Sequence, residues 1–160
     1  MRKVTLTFDN GPTPSVTHRV LDALERHGIS ATFFVVGRKL ADSAAWEAAE
    51  RAHAAGHWIG NHSFTHDTPL GRMADPAASV AEISRAQDAL GALAHPRRFF
   101  RPFGGGGALG PHLLSRAAFE HLCTGRYTGV TWNAIPRDWE GDRGWTDRAF
   151  AQCMAQDRAL

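Results

Sequence analysis

The feature that most constrains the fold is a regular alternation of short apolar runs with amphipathic stretches, in units of about thirty residues. Predicted strands cover residues 4–8, 32–36, 57–61 and 127–132, and a further strand ends at residues 99–100. Predicted helices cover residues 15–27, 42–55, 75–90 and 111–121, and a last helix begins near residue 146 and runs toward the C-terminus. This order is typical of an α/β fold built from repeating βα units.

Length and composition predict one domain and exclude several classes of partner. The 160 residues, 43% of them apolar, are enough for a single domain over residues 1–160. The 18 basic residues are interspersed with 16 acidic ones, which leaves no basic stripe for nucleic acid or an anionic membrane. No apolar run reaches the roughly 20 residues of a membrane span, and no leader-like segment precedes Val4. The sequence therefore predicts a cytoplasmic chain.

Two polar segments stand where predicted strands end, the position at which βα folds carry active sites. The first is Asp9-Asn10, which precedes a Gly-Pro pair and places a carboxylate and an amide at the mouth of the sheet. An ordinary Asx turn would use the same residues. The second contains His62 and His66, which can face one metal ion if the segment between them is helical. The alternative for this segment is two solvated loop histidines.

Two further segments have the same placement. Arg101 and Pro102 stand at a strand end before a glycine-rich turn, where an arginine can hold a carboxylate by hydrogen bonds. A surface arginine beside a loop proline is the structural alternative. Asp138 and Trp139 form an acidic and aromatic pair that could wall a sugar site. None of the four segments alone identifies a function. The functional interpretation rests on their order along the chain and their placement at strand ends.

Taken in order, these segments resemble the NodB-type polysaccharide deacetylases, carbohydrate esterase family 4. TFDNGP is similar to the family's TFDDGP opening, HSFTH to its H-S/T-x-x-H metal motif, RPFGG to its RPPYG motif and RDW to its fourth motif. ATFFVVG and GHWIGNH also look like segments of that family. The resemblance extends from Val4 to about Trp139, and the combination is far more specific than any one fragment.

The resemblance implies a distorted (β/α) barrel that removes N-acetyl groups from an amino-sugar polymer or oligomer of the chitooligosaccharide or peptidoglycan type. It implies a divalent metal, with zinc preferred over cobalt or nickel, and Asp9 as the general base that takes a proton from water. Arg101 would orient Asp9, and Asp138 would influence the family's general-acid histidine. By position, the implied site consists of catalytic Asp9, Arg101 and Asp138, metal-binding Asn10, His62 and His66, and pocket-lining Pro102 and Trp139.

Two departures from the family pattern affect these expectations. Asn10 stands where the family usually has an aspartate, and a neutral amide oxygen binds a divalent cation more weakly than a carboxylate does. The family's late Leu-His pair, which supplies the general acid, is absent after Trp139, and the last histidine is His121. Loss of a general acid would lower the rate by about 10²–10⁴-fold. The sequence thus predicts a barrel lacking its last strands, with an unpaired sheet edge through which the chain could self-associate.

Three other functions compete with deacetylation. A non-catalytic, carbohydrate-binding relative is favoured by Asn10 and by the missing Leu-His pair. An intracellular amidase acting on a small non-sugar substrate would use the same residues. Residues 105–110 satisfy the GxGxxG pattern of dinucleotide-binding proteins, but the acidic residue expected about 20 positions later is absent, which argues against nucleotide binding.

Overall fold

The computed structural model of the protein describes residues 3–160 and divides them into two compact units. The larger unit is Thr7–Val130, and the smaller combines the described residues of Met1–Leu6 with Thr131–Leu160. Within residues 3–160, no helix has the length and apolar character that crossing a bilayer requires. The prediction of a single domain stays a prediction.

Seven strands and five α-helices occur in the described part of the chain. The strands are β1 Lys3–Val4, β2 Thr7–Gly11, β3 Thr32–Val35, β4 Trp58–Asn61, β5 Phe99–Phe100, β6 Thr128–Gly129 and β7 Arg158–Ala159. The helices are α1 Pro14–His27, α2 Ser43–Ala54, α3 Pro76–Leu90, α4 Arg116–Thr124 and α5 Trp145–Met154. Short 3-10 helices cover Gly37–Ala41, Leu70–Arg72, Gly91–Leu93, Gly105–Gly107 and Asp138–Glu140.

The larger unit contains a five-stranded parallel sheet in the order β2-β3-β4-β5-β6. Its registry brings the carboxyl ends of the central strands level, because Val35 pairs with Asn61 and Asn61 pairs with Phe100. The residues that follow these ends, His62 and Arg101, consequently stand side by side. This alignment of strand ends is what assembles the polar segments of the sequence at one edge of the sheet.

All four residues of β3 are buried. A parallel strand with both faces covered reads as an uninterrupted apolar run, which explains the TFFV sequence. One core cluster packs β3 and β4 against the first two helices, and a second packs β5 against α3 and α4. The first cluster includes Leu21, Leu24, Phe33, Val35, Ala49 and Ile59, and the second includes Leu70, Ile83, Phe100, Ala118 and Leu122.

Local capping explains where several helices begin and end. Asp42 accepts a hydrogen bond from the backbone N–H of Ala45 at 2.9 Å, and α2 starts directly after it. Asp75 caps α3 in the same way, and Pro76 occupies its first turn. Gly28 ends α1 in the left-handed conformation, at φ 61°, that glycine adopts without steric cost. These boundaries match the sequence prediction.

The smaller unit is held together by backbone and side-chain hydrogen bonds. β1 and β7 pair in parallel, with Lys3 opposite Arg158. Asn133 bridges two backbone groups near the end of the chain, because its amide donates to the Arg158 carbonyl and accepts from the Leu160 N–H. In α5, Arg148 forms an ion pair with Asp142 at 2.8 Å.

The structure corrects several predicted boundaries. The strand predicted over residues 4–8 is two strands, because β1 pairs with β7 in the smaller unit while β2 joins the main sheet. The helix predicted over residues 111–121 begins only after Ser115, whose hydroxyl caps it by accepting from the Ala118 N–H. Upstream of that cap, the His112 carbonyl accepts from the Gly71 N–H, so this segment bonds to a neighbouring loop.

Two further corrections concern the last third of the chain. The strand predicted over residues 127–132 is limited to Thr128–Gly129, because its partner β5 is only two residues long. The chain does not end in a helix, since α5 stops at Met154 and β7 follows it.

The core assignment can be tested with a matched pair of phenylalanines. Phe100 is 1% exposed in the second core cluster, whereas Phe119 is 57% exposed on α4. We expect Phe100→Ala to lower the free energy of unfolding by about 3–5 kcal/mol through lost burial and the cavity left behind. Phe119→Ala should change it by about 0.5 kcal/mol or less. Urea denaturation of both variants measures this, and equal losses would contradict the assignment.

Candidate active site

The centre of the site is an ion pair between Asp9 of β2 and Arg101, the residue that follows β5. The Nη1 atom of Arg101 donates to Oδ1 of Asp9 at 2.9 Å and to the hydroxyl of Thr7 at 2.7 Å. Its Nε donates to the carbonyl of Val130 at 3.3 Å, and its guanidinium lies over the ring of Phe34 at 4.2 Å from the centroid. The arginine is 2% exposed, while 31% of the Asp9 side chain remains accessible. A buried cation thus orients a carboxylate that solvent can reach.

Burial and this partner act in opposite directions on the arginine. Burial lowers the pKa of Arg101, and the adjacent Asp9 carboxylate raises it. An arginine stays protonated in either case, because its pKa lies far above neutrality. The positive charge is therefore permanent, and it keeps an anionic partner favourable at this position.

His62 lies beside the pair, with its ring held on one side. The backbone N–H of His62 donates to the Val35 carbonyl at 3.0 Å, which extends the pairing of β3 and β4 by one residue. Its Nδ1 lies 2.8 Å from the carbonyl of Arg101, a group that only accepts, so Nδ1 carries the proton. The other ring nitrogen, Nε2, is then a lone-pair donor, and it lies 3.9 Å from Oδ2 of Asp9.

His66 adds a second imidazole to the same place. The ring centroids of His62 and His66 are 4.8 Å apart, and Phe103 stacks on the ring of His66 at 3.8 Å. Nε2 of His66 is buried and has no hydrogen-bond partner among the described residues. Burial, followed by the nearby His62, lowers the pKa of His66 to about 4. Burial also lowers the pKa of His62, so both rings are neutral at pH 7.

The two histidines fit a divalent metal. Metal ligation requires neutral imidazoles, and a ligating histidine almost always donates its other N–H to a carbonyl or carboxylate. His62 satisfies both conditions, and the unpartnered Nε2 of His66 is a second nitrogen of the kind zinc binds. Within residues 3–160 no cluster of three or more His, Cys, Asp or Glu side chains is arranged to hold a metal. Asn10, the third ligand that the resemblance implies, has an amide and is not one of these residue types.

Comparison with known proteins assigns the chain to a family. Residues 1–110 match the sequence model of the polysaccharide deacetylases. The chain is 34% identical to a chitooligosaccharide deacetylase of Bradyrhizobium sp. (strain ANU 289) over 158 residues, which cover 98% of this chain and 67% of the relative. The chain belongs to the polysaccharide deacetylase family. The resemblance found in the sequence is confirmed.

Solved structures agree with the assignment. The Bc1960 peptidoglycan N-acetylglucosamine deacetylase superimposes with a TM-score of 0.77 at 25% identity, over 96% of this chain and 66% of that one. A family 4 carbohydrate esterase from Streptomyces lividans, solved with acetate, gives 0.75 at 30% identity, over 94% and 72%. The predicted fold class, a distorted (β/α) barrel of the deacetylase type, is confirmed. The chain spans between 55% and 67% of the length of five chitooligosaccharide deacetylases that it matches.

The structure brings together four of the residues that the family motifs pointed to, namely Asp9, His62, His66 and Arg101. The condition attached to the histidine pair, a helical segment from His62 to His66, is not met, because these residues form a loop. Two left-handed residues, Ser63 at φ 66° and His66 at φ 60°, turn the chain so that the second ring meets the first. Tertiary contacts, rather than helical spacing, pair the two rings.

The other predicted site residues remain predictions. Asn10 follows Asp9 in β2 with a left-handed backbone at φ 68° and is exposed. Pro102 is buried directly after Arg101. Asp138 and Trp139 belong to the smaller unit, where both are exposed in a short 3-10 helix.

Three residues that contribute to the geometry were missed in the sequence. The Thr7 hydroxyl accepts a hydrogen bond from the guanidinium of Arg101, and Phe103 stacks on the ring of His66. Glu82 accepts hydrogen bonds from backbone N–H groups of the loop between the histidines. Of the three, only Glu82 could have been identified from the sequence, because it is an acidic residue on the buried face of α3. That face also contains Ser79, Ile83, Ala86 and Leu90. An acidic residue on the apolar face of a helix requires a buried partner.

The Arg101–Asp9 pair has an exposed counterpart that provides a control. Asp9→Ala removes one acceptor from a buried guanidinium, and we expect this to lower the free energy of unfolding by about 1–3 kcal/mol. Asp22→Ala breaks the solvent-exposed Arg51–Asp22 pair, which has an N–O distance of 2.7 Å, and should lower it by less than about 1 kcal/mol. Urea denaturation compares the two variants. A smaller loss for Asp9→Ala would show that burial of Arg101 does not depend on its partner.

Proposed function

We propose that the chain is a metal-dependent deacetylase that hydrolyses the N-acetyl group of an amino-sugar oligomer or polymer. The observation that carries this proposal is the placement of an accessible carboxylate, Asp9, beside the neutral rings of His62 and His66. Relatives named as chitooligosaccharide deacetylases and as peptidoglycan N-acetylglucosamine deacetylases support the class of substrate. Because these relatives match this chain over only part of their own length, their class of substrate is proposed for this chain.

In this proposal Asp9 is the general base. Its Oδ1 is engaged by Arg101, and the accessible part of the carboxylate can accept a proton from an attacking water. The hydrogen bond from Arg101 orients the carboxylate. Because the arginine is itself held by Thr7 and Val130, the base is positioned before substrate arrives.

His62 and His66 would hold the metal through their Nε2 atoms, with the Asn10 amide as the proposed third ligand. When bound, zinc or a similar divalent ion supplies Lewis acidity toward water and the acetamide carbonyl. The backbone carbonyl of Arg101 accepts a hydrogen bond from Nδ1 of His62 and so fixes that ring. Phe103 stacks on the ring of His66. These contacts keep both nitrogens oriented and shield one ring from water.

The departing amine requires a proton when the C–N bond breaks. Asp9 can perform both transfers, because the proton that it takes from water is available for the amine nitrogen when the C–N bond breaks. Asp138 stays in the proposal as a further catalytic residue, and Pro102 and Trp139 as residues of the substrate pocket.

Acetate release tests the proposal directly. The metal-stripped protein is resupplied with zinc or cobalt and incubated with chitooligosaccharides or peptidoglycan. We expect metal-dependent release that Asp9→Ala lowers by about 10²–10⁴-fold, the usual contribution of a general base. Asp22→Ala, an aspartate to alanine change in an exposed ion pair, should leave the rate unchanged. Absence of release with every metal would reject the proposal.

A non-catalytic, carbohydrate-binding role is the second candidate. It is favoured by Asn10, which replaces a charged ligand, and by the lack of any three-residue cluster of charged or imidazole ligands within residues 3–160. Binding of chitooligosaccharides without acetate release would identify this function. Release of acetate from small non-sugar amides alone would instead identify an amidase.

If Asn10 ligates the metal, a carboxylate at residue 10 should raise the affinity for zinc. We expect Asn10→Asp to raise zinc affinity by at least about tenfold, because a carboxylate adds a full negative charge to two neutral imidazoles. Isothermal titration of both proteins with zinc measures the difference. Unchanged affinity would exclude residue 10 as a ligand.

A further inference from the structure

The two histidines among the proposed metal ligands are anchored in different ways. His62 continues β4, so its backbone is tied to β3 through the Val35 carbonyl and its ring to the Arg101 carbonyl. His66 lies four residues further on, in a loop that contributes no strand or helix. The position of its ring depends on how the loop backbone between the two residues is held.

That loop backbone is strained. Ser63 has φ 66° and His66 has φ 60°, a left-handed region that residues with a side chain adopt only when surrounding contacts enforce it. The residues between them, Phe64 and Thr65, present their backbone N–H groups to the interior. A loop with two such residues requires specific partners to keep a single conformation.

Glu82 of α3 supplies these partners. Its Oε2 accepts from the backbone N–H of Phe64 at 3.1 Å and of Thr65 at 2.8 Å. The residue is 8% exposed, and among the described residues no ion pair involves it. A buried carboxylate without a cation is costly unless it accepts hydrogen bonds, and charge-assisted bonds to backbone amides are strong. The loop and the carboxylate therefore stabilise each other.

Other contacts hold different groups of the loop, and among them the Arg38 N–H donates to the Phe64 carbonyl at 2.9 Å. The Asn61 side chain accepts from the Ser63 N–H at 3.0 Å and donates to the Ile83 carbonyl at 2.9 Å. The Gly37 N–H donates to the Ser63 carbonyl. Glu82 is the residue whose side chain holds the amides of both residues that separate the left-handed positions.

We propose that Glu82 is a positioning residue for the metal site. It sets the distance between His66 and His62 by holding the Phe64 and Thr65 amides. The consequence for metal binding rests on the proposed function, whereas the effect on the loop does not.

Three variants test the role of Glu82. Glu82→Ala removes the acceptor, and Glu82→Gln keeps an amide oxygen that can accept both hydrogen bonds without the charge. Asp88→Ala is the control, since it deletes an exposed carboxylate from the same helix. Each protein is examined by amide hydrogen exchange in the metal-free state and by calorimetric titration with zinc, and thermal melting verifies that each variant is folded.

In the metal-free protein we expect Glu82→Ala to speed exchange at the Phe64 and Thr65 amides by at least about tenfold, with amides at the centre of α3 unchanged. Zinc affinity should fall by about 10–100-fold, the usual effect of removing a group that orients a ligand. Glu82→Gln should recover part of both losses, and Asp88→Ala should resemble the parent. Unchanged exchange at both amides, or equal zinc loss in Asp88→Ala, would overturn the proposal.

The two measurements separate this inference from the proposed function. If the parent protein binds no zinc and releases no acetate, the proposed function fails, and the exchange data still decide whether Glu82 holds the loop. If the parent binds zinc and Glu82→Ala binds it equally well, the positioning role fails while the metal site stands.

Discussion

The structure of the site depends on Arg101, which acts through both its side chain and its backbone. The guanidinium holds the Asp9 carboxylate, and the carbonyl of the same residue holds Nδ1 of His62. Its N–H donates to the Asn61 carbonyl, so the residue also extends the pairing of β4 and β5. A displacement of this one residue would change the proposed base and a proposed ligand together. Its burial makes that arrangement rigid, because a buried guanidinium must keep its acceptors.

A second layer of polar contacts surrounds this centre. The imidazoles remain neutral because the protein removes them from water, and that state is the one a metal requires. The cost of placing polar groups in the interior is offset where each finds a partner. Glu82 and Asn61 find theirs in the backbone of the histidine loop. The hydrogen bonds that stabilise the loop therefore also set the geometry of the proposed metal site.

Much of the fold was predictable, because local signals and tertiary structure agree there. The caps at Asp42 and Asp75 and the buried run of β3 mark their elements in the sequence. The prediction failed where a distant partner decides the conformation. Residues 4–8 read as one strand, but β1 pairs with β7 from the far end of the chain. The helix after residue 111 starts late because the His112 carbonyl is engaged by Gly71.

The sequence by itself determined the family, through motifs that resemble it, and it placed Asp9, His62, His66 and Arg101 in polar segments at predicted strand ends. Only the tertiary structure decided how the histidines meet. The sequence suggested a shared metal only if the segment were helical, and the structure pairs the rings through a strained loop held by α3. The physical reason is that the preferred conformation of a loop residue is weak. Hydrogen bonds that loop N–H groups donate to residues remote in sequence, such as Glu82, outweigh it, and the sequence alone does not show which residues will be neighbours.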